Sequence, residues 1–305
     1  MTKVGDTLPS RRLGRLPPWL AELRPAHWIK NTLVVVPLAA AHQLGDVTLL
    51  TRVALAFAAF SLCASGQYVL NDLIDRQMDR KHPAKRSRPI ASGEVSRTVA
   101  IALIVATWLG AGFLASRLGA GFAGILVAYV VLMIAYSAGL KQVVLLDALL
   151  LAAGYSARVA AGGIAVAIYP STWLIAFCVC LFYSLALVKR YSELALNRER
   201  DGPAAHARAY EAVDLPMVAT FGVASGYLAA LVLAMYLASG RTFSQLYSRP
   251  AFIGLTGILL LYWISYLWLL ANRGKMPDDP VLFALRDGRS LVLVVLMGIC
   301  AFLAV

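Results

Sequence analysis

Residues Leu50–Asp79 read LTRVALAFAAFSLCASGQYVLNDLIDRQMD. Arg52 is the one charge in the stretch 50–71, and then the chain turns abruptly acidic. About 20 apolar residues in a helix cross the roughly 30 Å hydrocarbon core of a bilayer. In lipid every backbone N–H and C=O must be paired within the protein, and a helix does this with its own residues. The stretch therefore predicts a transmembrane helix that ends in a polar site at the membrane boundary.

The same pattern repeats outward from this stretch. Apolar spans fall at about 28–44, 50–71, 98–115, 119–136, 144–163, 171–188, 215–238, 251–270 and 290–305. This predicts an all-α integral membrane protein of nine transmembrane helices. Residues 1–27 form a basic segment with Lys3, Arg11, Arg12, Arg15 and Arg24 but without the apolar centre of a cleavable signal. Residues 28–305 then make a single membrane domain. Of 305 residues, 60% are hydrophobic and 14% charged, against about 25% charged in soluble domains. A soluble globular enzyme, a disordered chain and a disulfide scaffold are excluded. Cys63, Cys178, Cys180 and Cys300 all lie in apolar runs, so neither a disulfide nor a zinc knuckle is expected.

The net charge is +12. On a soluble protein that excess would point to nucleic acid. Here it sits in loops, no nucleic-acid partner is expected, and basic loops report topology. With the N-terminus in the cytoplasm, inside segments hold 23 Lys and Arg. The outside segments hold four (Arg52, Arg117, Arg241 and Arg249), and Arg158 lies within a span. The expected location is the inner (cytoplasmic) membrane, with the N-terminus inside and the C-terminus outside. Of the sixteen acidic residues only Asp46 falls outside, so both signs of charge crowd the cytoplasmic face. Spans 2 and 6 are both followed by long charged loops, a weak repeat that suggests two four-helix halves plus one helix.

At the end of the second span, Asp72, Asp75 and Asp79 are three and four residues apart and share one helix face. Three such carboxylates repel one another and call for cations. Oxygen ligands of this kind suit Mg²⁺ bound together with substrate phosphates, so the stretch is a candidate Mg²⁺–diphosphate site. The alternative is a solvated helix end. The next loop offers Lys85, Arg86 and Arg88 to phosphate oxygens, stiffened by Pro83 and Pro89. His82 has no second His or Cys beside it and is not read as a metal ligand.

Further charges flank the same face. Lys30 and Asn31 open the first span, and for Lys30 snorkelling to the interface is the alternative role. Tyr136 and Lys141 close the fourth, and Lys189, Arg190 and Glu193 close the sixth. Arg286 and Asp287, after Asp278 and Asp279, contribute from the last loop. Asp147 and Arg158 lie in or beside the fifth span, where an ionisable group is a functional candidate by default or a structural partner of another helix. There is no P-loop, no G-x-S-x-G, no H-E-x-x-H and no dinucleotide fingerprint.

Nine spans with Asn71-Asp72-x-x-Asp75-x-x-x-Asp79, then a basic loop and Tyr136-Ser137-x-x-Leu140-Lys141, resemble the UbiA superfamily of intramembrane prenyltransferases. Aromatic prenyltransferases of that superfamily carry a second Asp-rich motif after span 6. Here that place reads Lys189-Arg190-Tyr191-Ser192-Glu193-Leu194, with cations in place of aspartates. That variant is similar to the branch of decaprenyl-phosphate phosphoribosyltransferases. Arg24-Pro25-x-x-Trp28-Ile29-Lys30-Asn31, the stretch His82–Gly93 and Ala284-Leu285-Arg286-Asp287 carry the same likeness.

The resemblance implies a UbiA-like bundle, Mg²⁺ as cofactor, phosphoribosyl diphosphate (PRPP) as donor, a polyprenyl phosphate as acceptor, and a product that feeds lipid-linked arabinose. It implies Asp72, Asp75 and Asp79 as catalytic metal ligands with Glu193 in support. The substrate-binding residues would be Lys30, Asn31, Tyr68, Asn71, Lys85, Arg86, Arg88, Tyr136, Lys141, Arg158, Lys189, Arg190 and Arg286. The oligomeric state is open, a homo-oligomer included. Two rivals stand beside this reading: an aromatic prenyltransferase that uses a prenyl diphosphate, and a non-enzymatic lipid or ion transporter.

Overall fold

The computed structural model describes residues 16–81, 85–199, 209–238, 247–277 and 279–305. Residues 1–15 of the basic segment, His82 and Pro83 of the basic loop, Arg241 and Asp278 lie outside the described residues. Every regular element among the described residues is helical.

Eight helices build the bundle: α1 (Val47–Ile74), α2 (Arg97–Leu118), α3 (Ala120–Ala138), α4 (Leu146–Ala165), α5 (Thr172–Glu199), α6 (Leu215–Ala238), α7 (Pro250–Asn272) and α8 (Gly288–Leu303). The first seven supply segments long and apolar enough to cross a membrane, and α8 is a shorter apolar helix. The first expected span takes another form. Pro25–Val35 is a 3₁₀ helix that runs into a short α-helix, Val36–Ala40. Pro25 opens the 3₁₀ helix at a position that needs no donor, and Pro37, which lacks a backbone donor within the apolar run, interrupts a regular α ladder.

Consecutive helices pack on one another: α1 on α2, α3 on α4, and α4 through α8 in sequence. The 3₁₀ segment lies against α1 and α4. Two hydrophobic cores result. One gathers Phe60, Phe122, Leu126 and Tyr129 around Val34 and Leu38. The other gathers Phe182, Leu187, Trp263, Leu267 and Trp268. Helix α4 serves both, with Ala148, Ala152 and Val159 in the second core and Ala161 and Ala165 in the first. Large apolar side chains such as Leu109, Phe113, Val127, Ile258 and Val295 remain on the outside, as lipid-facing positions do.

Lipid tails are as apolar as leucine, so close packing and polar contacts hold such helices together. A Cβ on Gly162 would lie 2.0 Å from the Val34 carbonyl oxygen, so only glycine lets the 3₁₀ segment meet α4 there. A Cβ on Gly222 would lie 2.0 Å from the Trp268 ring. At that crossing the Trp268 indole donates to Ser184 Oγ at 3.1 Å, and Ser184 donates to the Gly222 carbonyl at 2.7 Å. Helix starts are capped by side chains: Asp46 accepts from Leu49 N–H at 3.0 Å, Ser96 from Val99 at 3.3 Å and Asp287 from Ser290 at 2.8 Å.

Gly162→Ala should destabilise the detergent-solubilised protein by about 1–3 kcal/mol, the usual cost of overpacking. Gly112→Ala, where nothing lies within 4 Å of the added Cβ, should be neutral. Thermal unfolding of both variants measures the contrast.

Candidate active site

Helix α1 ends at Ile74, Asp75 caps it, and a short helix, Arg76–Lys81, continues the chain. The Asp75 N–H still reaches the Asn71 carbonyl at 2.8 Å, and the Asp79 N–H reaches that of Asp75 at 2.8 Å. The helical register therefore survives the break. Arg76 and Arg80 donate to the carbonyls of Ile90 and Ala91 at 3.2 and 2.8 Å. These bonds fold the basic loop back so that Arg88 faces the carboxylates.

Asp72 and Asp79 are buried, 2% and 3% exposed. One atom serves both: Arg88 Nη1 lies 2.9 Å from Asp72 Oδ1 and 2.7 Å from Asp79 Oδ2. Arg24 pairs with the other oxygen of Asp72. Its backbone is left-handed (φ 51°), which turns the chain sharply before Pro25. Two contacts hold that turn on α1: the Trp28 indole donates to Ser65 Oγ at 2.9 Å, and Ser65 donates to the Leu23 carbonyl at 2.9 Å. The Arg24 guanidinium also sits 5.0 Å from the Tyr68 ring. Asn71 is half-buried next to Asp72.

Asp75 takes a different partner. Lys141, just beyond α3, reaches both of its oxygens at 2.7 Å. The three carboxylates expected to act together thus divide, with Asp72 and Asp79 on Arg88 and Asp75 on Lys141. Among the described residues no group of three or more acidic, His or Cys side chains could hold a metal ion. Mg²⁺ needs less, because one or two carboxylates plus phosphate oxygens and water usually suffice. Asp72 and Asp79 fit that requirement: their oxygens converge on a single point, and a cationic nitrogen stands there.

A cleft of about 520 Å³ opens beside Asp72, lined by Glu22, Arg24, His27, Arg88, Lys189 and Asp279 among others. Of the expected residues it brings together Asp72, Arg88 and Lys189. Glu22, His27, Asp279 and Arg24 were not among the expected ligands, Arg24 having been read only as part of the basic segment and of a motif. Glu22 is 2% exposed, and burial, with the Asp72 charge adding to it, pushes its carboxyl up to about 7. Burial acts upward on Asp279, but paired Lys30 outweighs it and holds the carboxyl below its ordinary value.

The remaining expected residues fall into separate groups. Arg190 is 1% exposed and pairs with buried Asp147 and with Glu193. Tyr136 OH accepts from Arg190 at 3.3 Å, and Tyr210 OH donates to Asp147 at 2.7 Å. Glu193, expected to support a metal, is held here by Arg190 and lies 3.9 Å from Lys189. Arg158 is buried. It donates to Asn31 Oδ1 at 2.8 Å, the Gly154 carbonyl at 2.6 Å and Tyr129 OH at 2.8 Å. Lys85 is half-buried, and Arg86 and Arg286 are exposed; Arg88 is the loop cation that reaches the carboxylates.

The chain can now be set beside known proteins. The profile of the UbiA prenyltransferase family matches residues 32–303. "Nodulation protein NoeC" of Azorhizobium caulinodans is 36% identical over 272 residues, 88% of this chain and 87% of that protein. The decaprenyl-phosphate phosphoribosyltransferase of Mycobacterium tuberculosis is 40% identical over 192 residues, 60% of this chain and 61% of that enzyme. The match to a further curated relative spans about half (53%) of its length. A solved structure of a UbiA homolog from Archaeoglobus fulgidus bound to DMAPP and Mg²⁺ superposes with a TM-score of 0.71 at 15% identity, covering 93% of this chain and 98% of that one. At that identity the likeness concerns the fold, and it agrees with the all-helical bundle described above. A profile match over nearly the whole described bundle makes this chain a member of the UbiA prenyltransferase family of membrane transferases.

Proposed function

We propose that the protein transfers a 5-phosphoribosyl group from PRPP to a polyprenyl phosphate, releases pyrophosphate, and so feeds synthesis of a lipid-linked arabinose donor. One observation carries the reading. Where aromatic prenyltransferases of the superfamily have a second acidic motif, this chain has Lys189 and Arg190, and Lys189 lines the cleft together with Arg24 and Arg88. Three cations suit a ligand set with more phosphate than one diphosphate. The 40% identity to a decaprenyl-phosphate phosphoribosyltransferase supports the same choice.

Asp72 and Asp79 would hold Mg²⁺, which supplies charge neutralisation for a departing diphosphate. Arg24, Arg88 and Lys189 bind phosphate oxygens of the donor and acceptor. The bond from the ribose C1 to the diphosphate oxygen breaks, and an acceptor phosphate oxygen forms the new bond to C1. That oxygen is already anionic, so the site needs no strong base. The work left to the residues is positioning and electrostatic stabilisation. The Asp75–Lys141 pair fixes the end of α1 against the loop after α3. Arg190 is already neutralised by Asp147 and Glu193, so its role is to anchor α5 and set the direction of Lys189.

The reading also assigns the membrane arrangement. Eleven residues of 3₁₀ helix at about 2.0 Å each and five of α-helix at about 1.5 Å make roughly 30 Å, enough to cross the hydrocarbon core. Pro25–Ala40 then serves as the first of nine passages and α8 as the last. Residues 28–305 act as one domain, and the cleft faces the cytoplasm, the side that carries most Lys and Arg.

Purified protein with Mg²⁺ should release pyrophosphate from PRPP plus polyprenyl phosphate. Release only from a prenyl diphosphate plus an aromatic acid would replace this reading with the prenyl-transfer one. Asp72→Asn should cut turnover by roughly 100-fold or more, while size-exclusion chromatography shows normal insertion and folding. Near-normal rates at saturating Mg²⁺ would remove Asp72 from the site. Lys189→Ala should raise the KM for PRPP by about tenfold, the worth of one charge-assisted phosphate contact. Unchanged KM values for both substrates would exclude that contact.

A further inference from the structure

Two atoms in the cleft wall have no use in the transfer just described. Among the described residues, Glu22 Oε1 and His27 Nδ1 are buried and have no hydrogen-bond partner. Both residues line the cleft that also holds Arg24, Arg88 and Lys189. A buried polar atom left unpaired is costly, and a ligand that supplies a hydrogen-bond partner removes the cost. Arg24 and Arg88 do not remove it, because both are engaged by Asp72. The His27 ring packs edge-on against Tyr68 at 5.4 Å, which fixes its orientation beside the cleft.

The chemistry of these two atoms discriminates between ligands. A fully ionised phosphate brings only acceptors, so it cannot pair with an ionised carboxyl oxygen or a bare ring nitrogen. A prenyl diphosphate brings a diphosphate and then hydrocarbon. A phosphorylated sugar brings hydroxyls within a few bonds of its phosphates, and a hydroxyl both donates and accepts, so it pairs with a carboxyl oxygen or a ring nitrogen in either protonation state. Cations for phosphate and unpaired polar groups for hydroxyl, lining one cleft, match that ligand.

We propose that Glu22 and His27 form the hydroxyl-recognition wall of the donor pocket, each sharing a hydrogen bond with a ribose hydroxyl of a phosphorylated pentose. This rests on the phosphoribosyl reading and names two residues that give the cleft its preference for a sugar over an isoprenoid. A site built to bond a hydroxyl discriminates strongly against the analogue that lacks it, because its own buried groups are then left unpaired.

The test is binding to the full-length protein in detergent with Mg²⁺, using ribose 5-phosphate, 2-deoxyribose 5-phosphate and pyrophosphate as probes. Glu22→Ala and His27→Ala should each weaken ribose 5-phosphate by about tenfold and leave pyrophosphate within about twofold. The loss should be smaller for the 2-deoxy probe in at least one of the two variants. Glu22→Gln and His27→Gln, which keep a polar hydrogen-bonding group and nearly the same volume, should restore most of the affinity. Equal weakening of pyrophosphate, or no weakening of ribose 5-phosphate, overturns the proposal. If the wild-type protein turns over PRPP and the variants bind as it does, only this assignment falls. If the wild-type protein ignores both PRPP and ribose 5-phosphate, the phosphoribosyl reading falls with it.

Discussion

Two carboxylates withdrawn from water at the edge of a membrane must be met by positive charge, and most of the site follows from that requirement. Removing one partner of a buried ion pair leaves an uncompensated charge, which is far more damaging than losing a surface contact. Asp72 and Asp79 share Arg88, and Asp72 also takes Arg24. Those arginines come from segments on either side of α1 in the chain. The fold therefore spends several contacts on delivering them: a left-handed turn at Arg24, the Trp28–Ser65–Leu23 relay, and the bonds from Arg76 and Arg80 to the loop backbone. In the proposed transfer, phosphate and divalent cation together would take over what arginine and carboxylate do for each other here.

A second charged cluster shows how a single residue step along a helix separates two roles. Lys189 and Arg190 are adjacent on α5, and neighbouring residues on a helix diverge by about 100°. Arg190 turns into the bundle, where Asp147, Glu193 and Tyr136 surround it. Lys189 turns to the cleft. Arg158 follows the first pattern with neutral partners, namely an amide oxygen, a backbone carbonyl and a phenol hydroxyl, reinforced by the faces of Tyr129 and Tyr155 at 4.8 and 5.5 Å.

Much of this was readable from the chain alone. Apolar run length determines helices in lipid, so α1 through α7 appear in the sequence nearly where they lie in space. The spacing of Asp72 and Asp79, seven residues or two turns apart, placed them together because helical register persists past Asp75. Proline made the first span hard to read: an apolar stretch says nothing about a 3₁₀ ladder with a longer rise per residue. The partition of carboxylates was also hidden, because whether Lys141 or Arg88 meets Asp75 depends on the loop path after α3. Glu22 and His27 left no periodic signal. They sit in a short basic segment whose average charge masks them, and only folding back onto α1 gives them a role.

The pairing of Lys30 with Asp279 joins residues 249 positions apart. During synthesis on the ribosome, the lysine waits at the rim of the growing bundle until the connection after α7 has emerged. One wall of the cleft is thus absent for most of the time that the chain is being inserted. The two sides of the cleft therefore meet only once nearly the whole chain has been made.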